Sequence, residues 1–218
     1  EHVPFIQKDI IRKCNILGKP VITATQMLDS MEQSPTPTRA EVSDVANAIL
    51  DGTDAIMLSS ESAIGKYPVE SITTMSAIAK RTEPHVKNIQ LDYFGNSRDI
   101  VDTMSTSVVR IANNVRARLI VTLTESGLTP RMISRFNPHH PIIAITPHEL
   151  TYNQLQLSFG CIAMKSDMKG GIKEITKKIQ QLVKKNSWAE SNEKIVVTMG
   201  SSFGTPGSTN VIFVIEAK

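Results

Sequence analysis

The sequence predicts an α/β chain made of two successive series of short parallel strands and helices. Three observations carry this. Short apolar runs alternate with segments of helical period along nearly the whole chain. Gly, Pro and hydroxyl residues punctuate the changes from one to the other. A polar stretch at residues 83–98, holding Pro84 and Gly95, interrupts the alternation and divides it in two. Strand–helix–strand order implies parallel pairing through right-handed crossovers.

In the first series, Val3, Ile6, Ile10 and Ile11 open a helix that runs to Leu17 and stops at Gly18. A strand follows at residues 21–24, then a short helical or turn segment over residues 25–32. Thr38-Arg-Ala-Glu41 reads as a capping box. The helix it starts presents Val42, Val45, Ala46, Ile49 and Leu50 to a core and ends at Gly52. A second strand spans residues 54–58. Ser59-Ser-Glu-Ser62 reads as a polar turn, and Pro68 begins a further helix. Two parallel strands cannot close a barrel, so either they join the later sheet or they are the tail of a larger domain.

The second series places helices near residues 100–114, 130–136, 148–158 and 170–186. Strands fall at 119–123, 142–145, 161–164, 195–198 and 211–215. Five strands in this length make a self-standing domain. The last helix is expected to bury Ile172, Ile175, Ile179 and Leu182 beneath a solvated lysine face.

The chain has 218 residues, a formal net charge of +3, one Trp and three Tyr. That balance gives no footprint for a nucleic-acid partner. The apolar runs are too short to cross a bilayer, so no membrane is expected. Cys14 and Cys161 are isolated, which fits a reducing compartment. The chain opens on a helical pattern with no Met, so a longer parent chain is expected.

Two places invite chemistry. Thr25 and the Ser59–Glu61 turn lie just beyond the carboxyl ends of the first two strands, where α/β folds collect their functional groups. Helix capping is the alternative for both. Thr124-Glu-Ser-Gly-Leu-Thr129 combines hydroxyls, backbone N–H groups and a helix start, with Thr129 as N-cap and Pro130 at N1. That suits a phosphate, although Glu125 opposes an anion, and a plain capped helix start with nothing bound is the alternative. The loop at residues 200–210 can close over it. Asp51, Asp54 and Glu61 do not form a metal-ligand pattern, and capping accounts for Glu41 beside Arg39. His139-His140 reads as a solvated turn.

At Lys19-Pro-Val-Ile-Thr-Ala-Thr-Gln-Met-Leu-Asp-Ser-Met31 the chain resembles the pyruvate kinase family. Pro35-Thr-Pro-Thr-Arg-Ala-Glu-Val-Ser-Asp-Val-Ala-Asn47 and Asp51-Gly-Thr-Asp-Ala-Ile-Met-Leu-Ser59 extend the resemblance. It continues through Pro141-Ile-Ile-Ala-Ile-Thr146 to Gly207-Ser-Thr-Asn210. The resemblance implies the tail of a (β/α)8 barrel at residues 1–84, a linker at 85–98 and a five-stranded, mostly parallel α/β regulatory domain at 99–218.

It further implies phosphoryl transfer from phosphoenolpyruvate to ADP with Mg2+ and K+, in a cytoplasmic homotetramer. Thr25 matches the threonine beside the substrate, and Ser59 and Glu61 fall on the nucleotide side of the barrel mouth. Thr124, Ser126, Gly127 and Thr129 match a loop that holds the phosphate of a sugar-phosphate or nucleotide effector. Gly204, Gly207 and Ser208 match a second effector loop. The family's catalytic lysine, metal ligands and lid match nothing from Glu1 onward, so this chain alone is expected to be inactive. A stand-alone phosphate-binding module or an assembly partner is the alternative.

Overall fold

The computed structural model describes residues 1–86, 99–200 and 209–218. The chain divides into two compact units, Glu1–Lys87 and Asn88–Lys218.

The first unit begins with helix α1 (Val3–Leu17), closed by Gly18 in the left-handed conformation at φ 62°. Strand β1 (Ile22–Ala24) pairs in parallel with β2 (Ala55–Met57), Ala24 lying opposite Met57. Between them run a 3-10 turn at Asp29–Glu32 and helix α2 (Arg39–Leu50). The capping box at Thr38 is complete, and its Glu41 carboxylate also accepts from the Ser30 N–H at 2.7 Å and the Ser30 hydroxyl at 2.6 Å. Burial pulls the Glu41 pKa up, but the hydrogen bonds from Ser30 and Thr38 outweigh it, and the net position is below the ordinary value.

After β2 come a one-turn helix α3 (Ser60–Ala63) and helix α4 (Pro68–Thr82), with proline at its start. Of the residues 59–62 read from sequence as a turn, Ser60, Glu61 and Ser62 are therefore helical and Ser59 is the N-cap. A small core of Met27, Leu28, Met31, Val45, Ile49, Met75 and Val86 holds the unit together. Val86 is buried and Glu83–His85 forms a 3-10 turn, so the start of the polar stretch belongs to this unit. The remainder of the expected linker, residues 87–98, lies outside the described residues.

The unit also exposes a large apolar face. Val3, Phe5, Ile6, Ile10, Ile22 and Met57 are all solvent-accessible. So are Val42 and Leu50, which the helical pattern assigns to a core, and Ala48 is buried in their place. Helix α1 and strand β1 border a groove of ≈ 290 Å³ lined by Val3, Ile6, Ile10, Ile11, Ile22 and Ala24 among others.

The second unit is a five-stranded sheet in the order β5-β4-β3-β6-β7. Its strands are β3 (Leu119–Leu123), β4 (Ile142–Thr146), β5 (Cys161–Lys165), β6 (Lys194–Gly200) and β7 (Thr209–Glu216). All pairs are parallel except β6–β7, which has an irregularity at Met199/Gly200. The central strands are almost wholly apolar and buried, as parallel strands covered on both faces must be.

Helices α5 (Ile100–Val115) and α6 (Leu128–Ser134) pack on one face through Val108, Val109, Ile133 and Phe136. Helix α7 (Glu149–Leu155) covers Ala144 and Ala163. Helix α8 (Ile172–Lys185) covers the other face with Ile175, Ile179 and Val183. Ile172 is exposed and Leu182 half-buried, so Val183 takes a place that the sequence pattern gives to its neighbours. His140 is half-buried rather than solvated, with Nε2 3.0 Å from Asn113 Oδ1, and burial holds its pKa below the ordinary value.

Among the described residues of this unit, one ion pair is buried. Arg135 of the α6 end meets Asp102 of α5, both nearly inaccessible, and the guanidinium sits 4.8 Å from the Phe136 ring centre. Burial lowers the Arg135 pKa to about 10, opposed by the charge of Asp99, so the guanidinium stays charged at neutral pH. Removing one partner of such a pair strands a buried charge. Asp102→Ala is expected to destabilise the chain by on the order of 3 kcal/mol, the low end for such pairs because Asp99 remains nearby. A urea midpoint unchanged from wild type would contradict this role.

Candidate functional site

The first site is built at the carboxyl edge of the β1–β2 pair. The register Ala24↔Met57 brings residue 25 and residues 58–59 to the same end of the sheet. Thr25 and Gln26, next after β1, both adopt left-handed backbone conformations at φ 70° and 54°. A β-branched residue there is a strained outlier, and such strain persists only where the surroundings over-determine the backbone. Thr25 is exposed, whereas Met27 and Leu28 are buried. The hydroxyl is thus presented to solvent by a loop anchored in the core.

Glu61 supplies one anchor. Its side chain is 1% exposed, and its two carboxylate oxygens accept different backbone N–H groups. Oε1 accepts from Leu28 at 3.1 Å and Oε2 from Ser59 at 2.7 Å. The Glu61 carboxylate therefore faces inward, and Ser59 is the half-buried residue at the rim. Just beyond, Gly65 lies so close that an added Cβ would stand 2.6 Å from the Glu61 carbonyl oxygen and 3.1 Å from Glu32 Cα. The Lys66 N–H donates to the Glu32 carbonyl at 2.8 Å.

The acidic groups at the opposite, amino end of the strand pair are structural. Asp51 pairs with Lys8, and the Asp54 carboxylate accepts from the Val21 N–H at 2.9 Å. Arg39 is exposed at the start of α2. Among the described residues no three His, Cys, Asp or Glu side chains gather to hold a metal ion. These described residues do not fit a metal centre.

The second site lies at the carboxyl end of β3, beside the point where the chain order reverses. From β3 the sheet extends to β4 and β5 on one side and to β6 on the other. Open α/β sheets place ligands in the crevice at such a switch point. The loop after β3 is internally fixed. Gly127 N–H donates to the Thr124 hydroxyl at 3.0 Å, and the Thr151 hydroxyl donates to the Glu125 carbonyl at 2.9 Å. The Glu125 carboxylate lies 2.6 Å from His148 Nε2. Ser126 is exposed.

The cap of α6 differs from the sequence expectation. Gly127, at φ 76°, is the N-cap, and Thr129 and Pro130 are already inside the helix. The reason is tertiary. Gly127 packs against Thr151 and Leu155, where a Cβ would find contacts of 3.2–3.4 Å. The Thr129 hydroxyl meets that of Thr209 at 2.5 Å, 80 residues away. Lys169 is held above its ordinary pKa by its hydrogen bond to Asp167, then by the charges of Asp167 and Glu125. Gly204, Gly207 and Ser208 lie outside the described residues.

The architecture is that of a barrel's last two strand–helix units followed along the chain by a doubly wound α/β domain. Residues 1–72 match the family model "Pyruvate kinase, barrel domain", and residues 102–215 match "Pyruvate kinase, alpha/beta domain". A pyruvate kinase of Bacillus licheniformis is 47% identical over 215 residues, covering 97% of this chain and 37% of that protein. One of Clostridium perfringens is 45% identical over 217 residues, covering 97% and 46%. Pyruvate kinase 2 of Synechocystis is 45% identical over 219 residues, covering 100% and 37%. The chain belongs to the pyruvate kinase family. It spans less than half the length of these curated relatives.

Gly65 gives a test of the first site's architecture. Gly65→Ala drives a Cβ into backbone rather than into a side chain that can turn away. It is expected to cost roughly 1–3 kcal/mol, the range for overpacking a close contact. Thermal unfolding of the variant at the wild-type temperature would contradict it.

Proposed function

We propose that the chain is the C-terminal portion of a pyruvate kinase, which moves the phosphoryl group of phosphoenolpyruvate to ADP and yields pyruvate and ATP. The two-part family match in chain order carries this reading. The strained, exposed Thr25 at the carboxyl edge of β1 supports it locally. In the transfer, the bond between phosphorus and the enol oxygen breaks as an ADP oxygen attacks. The enolate left behind takes a proton at its terminal carbon. By the resemblance, Thr25 borders that carbon and orients the substrate, while Ser59 and the backbone that Glu61 fixes line the nucleotide side.

Mg2+ and K+ serve the complete enzyme in this reading, held by residues outside this chain. The apolar face of the first unit fits burial against the rest of a (β/α)8 barrel. Thr124, Ser126, Gly127 and Thr129 form the phosphate loop of a regulatory site for a sugar phosphate or nucleotide. Its position at the switch point of the sheet favours this. A cytoplasmic homotetramer completes the proposal. Among the described residues no helix is long and apolar enough to cross a membrane.

A coupled assay of pyruvate formation tests the reading. The full-length protein is expected to turn over phosphoenolpyruvate with ADP, and Thr25→Ala to lower kcat by about 100-fold, the cost of losing a group that positions the reacting carbon. The 24.0 kDa chain alone is expected to give no turnover above background. Turnover by that chain alone would mean that the catalytic apparatus is assigned to the wrong part of the protein.

A further inference from the structure

The fully buried carboxylate of Glu61 carries an inference beyond the family assignment. We propose that Glu61 is a positioning residue, clamping the loop at residues 25–28 to the entrance of α3 and so holding Thr25 in its left-handed conformation. The inference rests on the proposed role of Thr25 in phosphoryl transfer.

A carboxylate removed from water is costly unless its oxygens are satisfied. Here both are, and by backbone groups of two different loops. Leu28 N–H belongs to the loop after β1 and Ser59 N–H to the loop after β2. The two donors are 31 residues apart in sequence, so one side chain fixes the spacing of the loops that carry the two rim residues. Thr25 and Gln26 store backbone strain, and the loop is anchored on its far side by Met27 and Leu28 in the core. Leu28 is the residue whose N–H Glu61 holds. Releasing that N–H frees the loop to relax at Thr25 while the hydrophobic anchor stays in place. Gln at position 61 is nearly isosteric but presents an NH2 group to one of two N–H donors, so it can satisfy only one.

The test is a double-mutant cycle on the full-length enzyme, read as kcat and KM per folded site. Glu61→Gln is expected to lower kcat by about 100-fold, the cost of a misplacement of about 1 Å. In a Thr25→Ala background the same substitution is expected to lower kcat by far less than in the wild type, because the main group it positions is gone and only its hold on the Ser59 loop remains. A purely structural Glu61 gives losses that multiply across the two sites, or a lower melting temperature with unchanged kcat per folded site. Either result overturns the proposal. If Glu61→Gln does not fold, Glu61→Asp keeps the charge, shortens the reach by one methylene and carries the same cycle. A full-length wild type without phosphoenolpyruvate-dependent ATP formation overturns the parent reading, whereas an active wild type with multiplicative losses overturns only the role of Glu61.

Discussion

A parallel strand cannot be satisfied locally. Its neighbour must arrive by a crossover, and both faces of the sheet must be covered. The second unit meets this constraint with its own residues. Helices α5, α6 and α7 cover one face and α8 the other, and the central strands β3 and β4 are buried almost throughout. The first unit meets it only in part. Its two strands pair with each other, yet Ile22 and Met57 within them, and Val3, Phe5, Ile6 and Ile10 beside them, remain exposed. The same requirement makes one unit a finished domain and leaves the other with an apolar face suited to further strand–helix units.

That constraint also explains where chemistry collects. Parallel connections bring successive loops to one edge of the sheet, so residues far apart in sequence meet there without any special device. In the first unit the meeting is enforced by a single carboxylate, that of Glu61, on two backbone N–H groups. In the second unit the loop after β3 is fixed from the side by α7, through Thr151 on the Glu125 carbonyl and His148 on its carboxylate.

Much of this was legible in the sequence wherever the determinants are local. The glycine stop at residue 18, the capping box at Thr38 and the bounds of β3 follow from short-range patterns and appear in the structure as read. What was not legible depends on distant partners. Ser59-Ser-Glu-Ser62 has the composition of a solvated turn, and nothing local says that Glu61 turns inward toward Leu28. A left-handed Thr25 runs against the preference of a β-branched residue, so no pattern foretells it. Thr129 is a good N-cap by composition, yet Thr209 engages its hydroxyl and Gly127 takes the cap. Val42 and Leu50 lie on the apolar stripe of α2, but no described residue of the first unit covers them fully.

The central claim is that this chain is one part of a longer pyruvate kinase, and the most direct measurement is the denatured intact mass of the protein as its native source makes it. The account predicts a mass well above 24.0 kDa, with room for most of a barrel of roughly 250 residues. A native product of 24.0 kDa would contradict it, because the chain would then carry the barrel's end without a barrel.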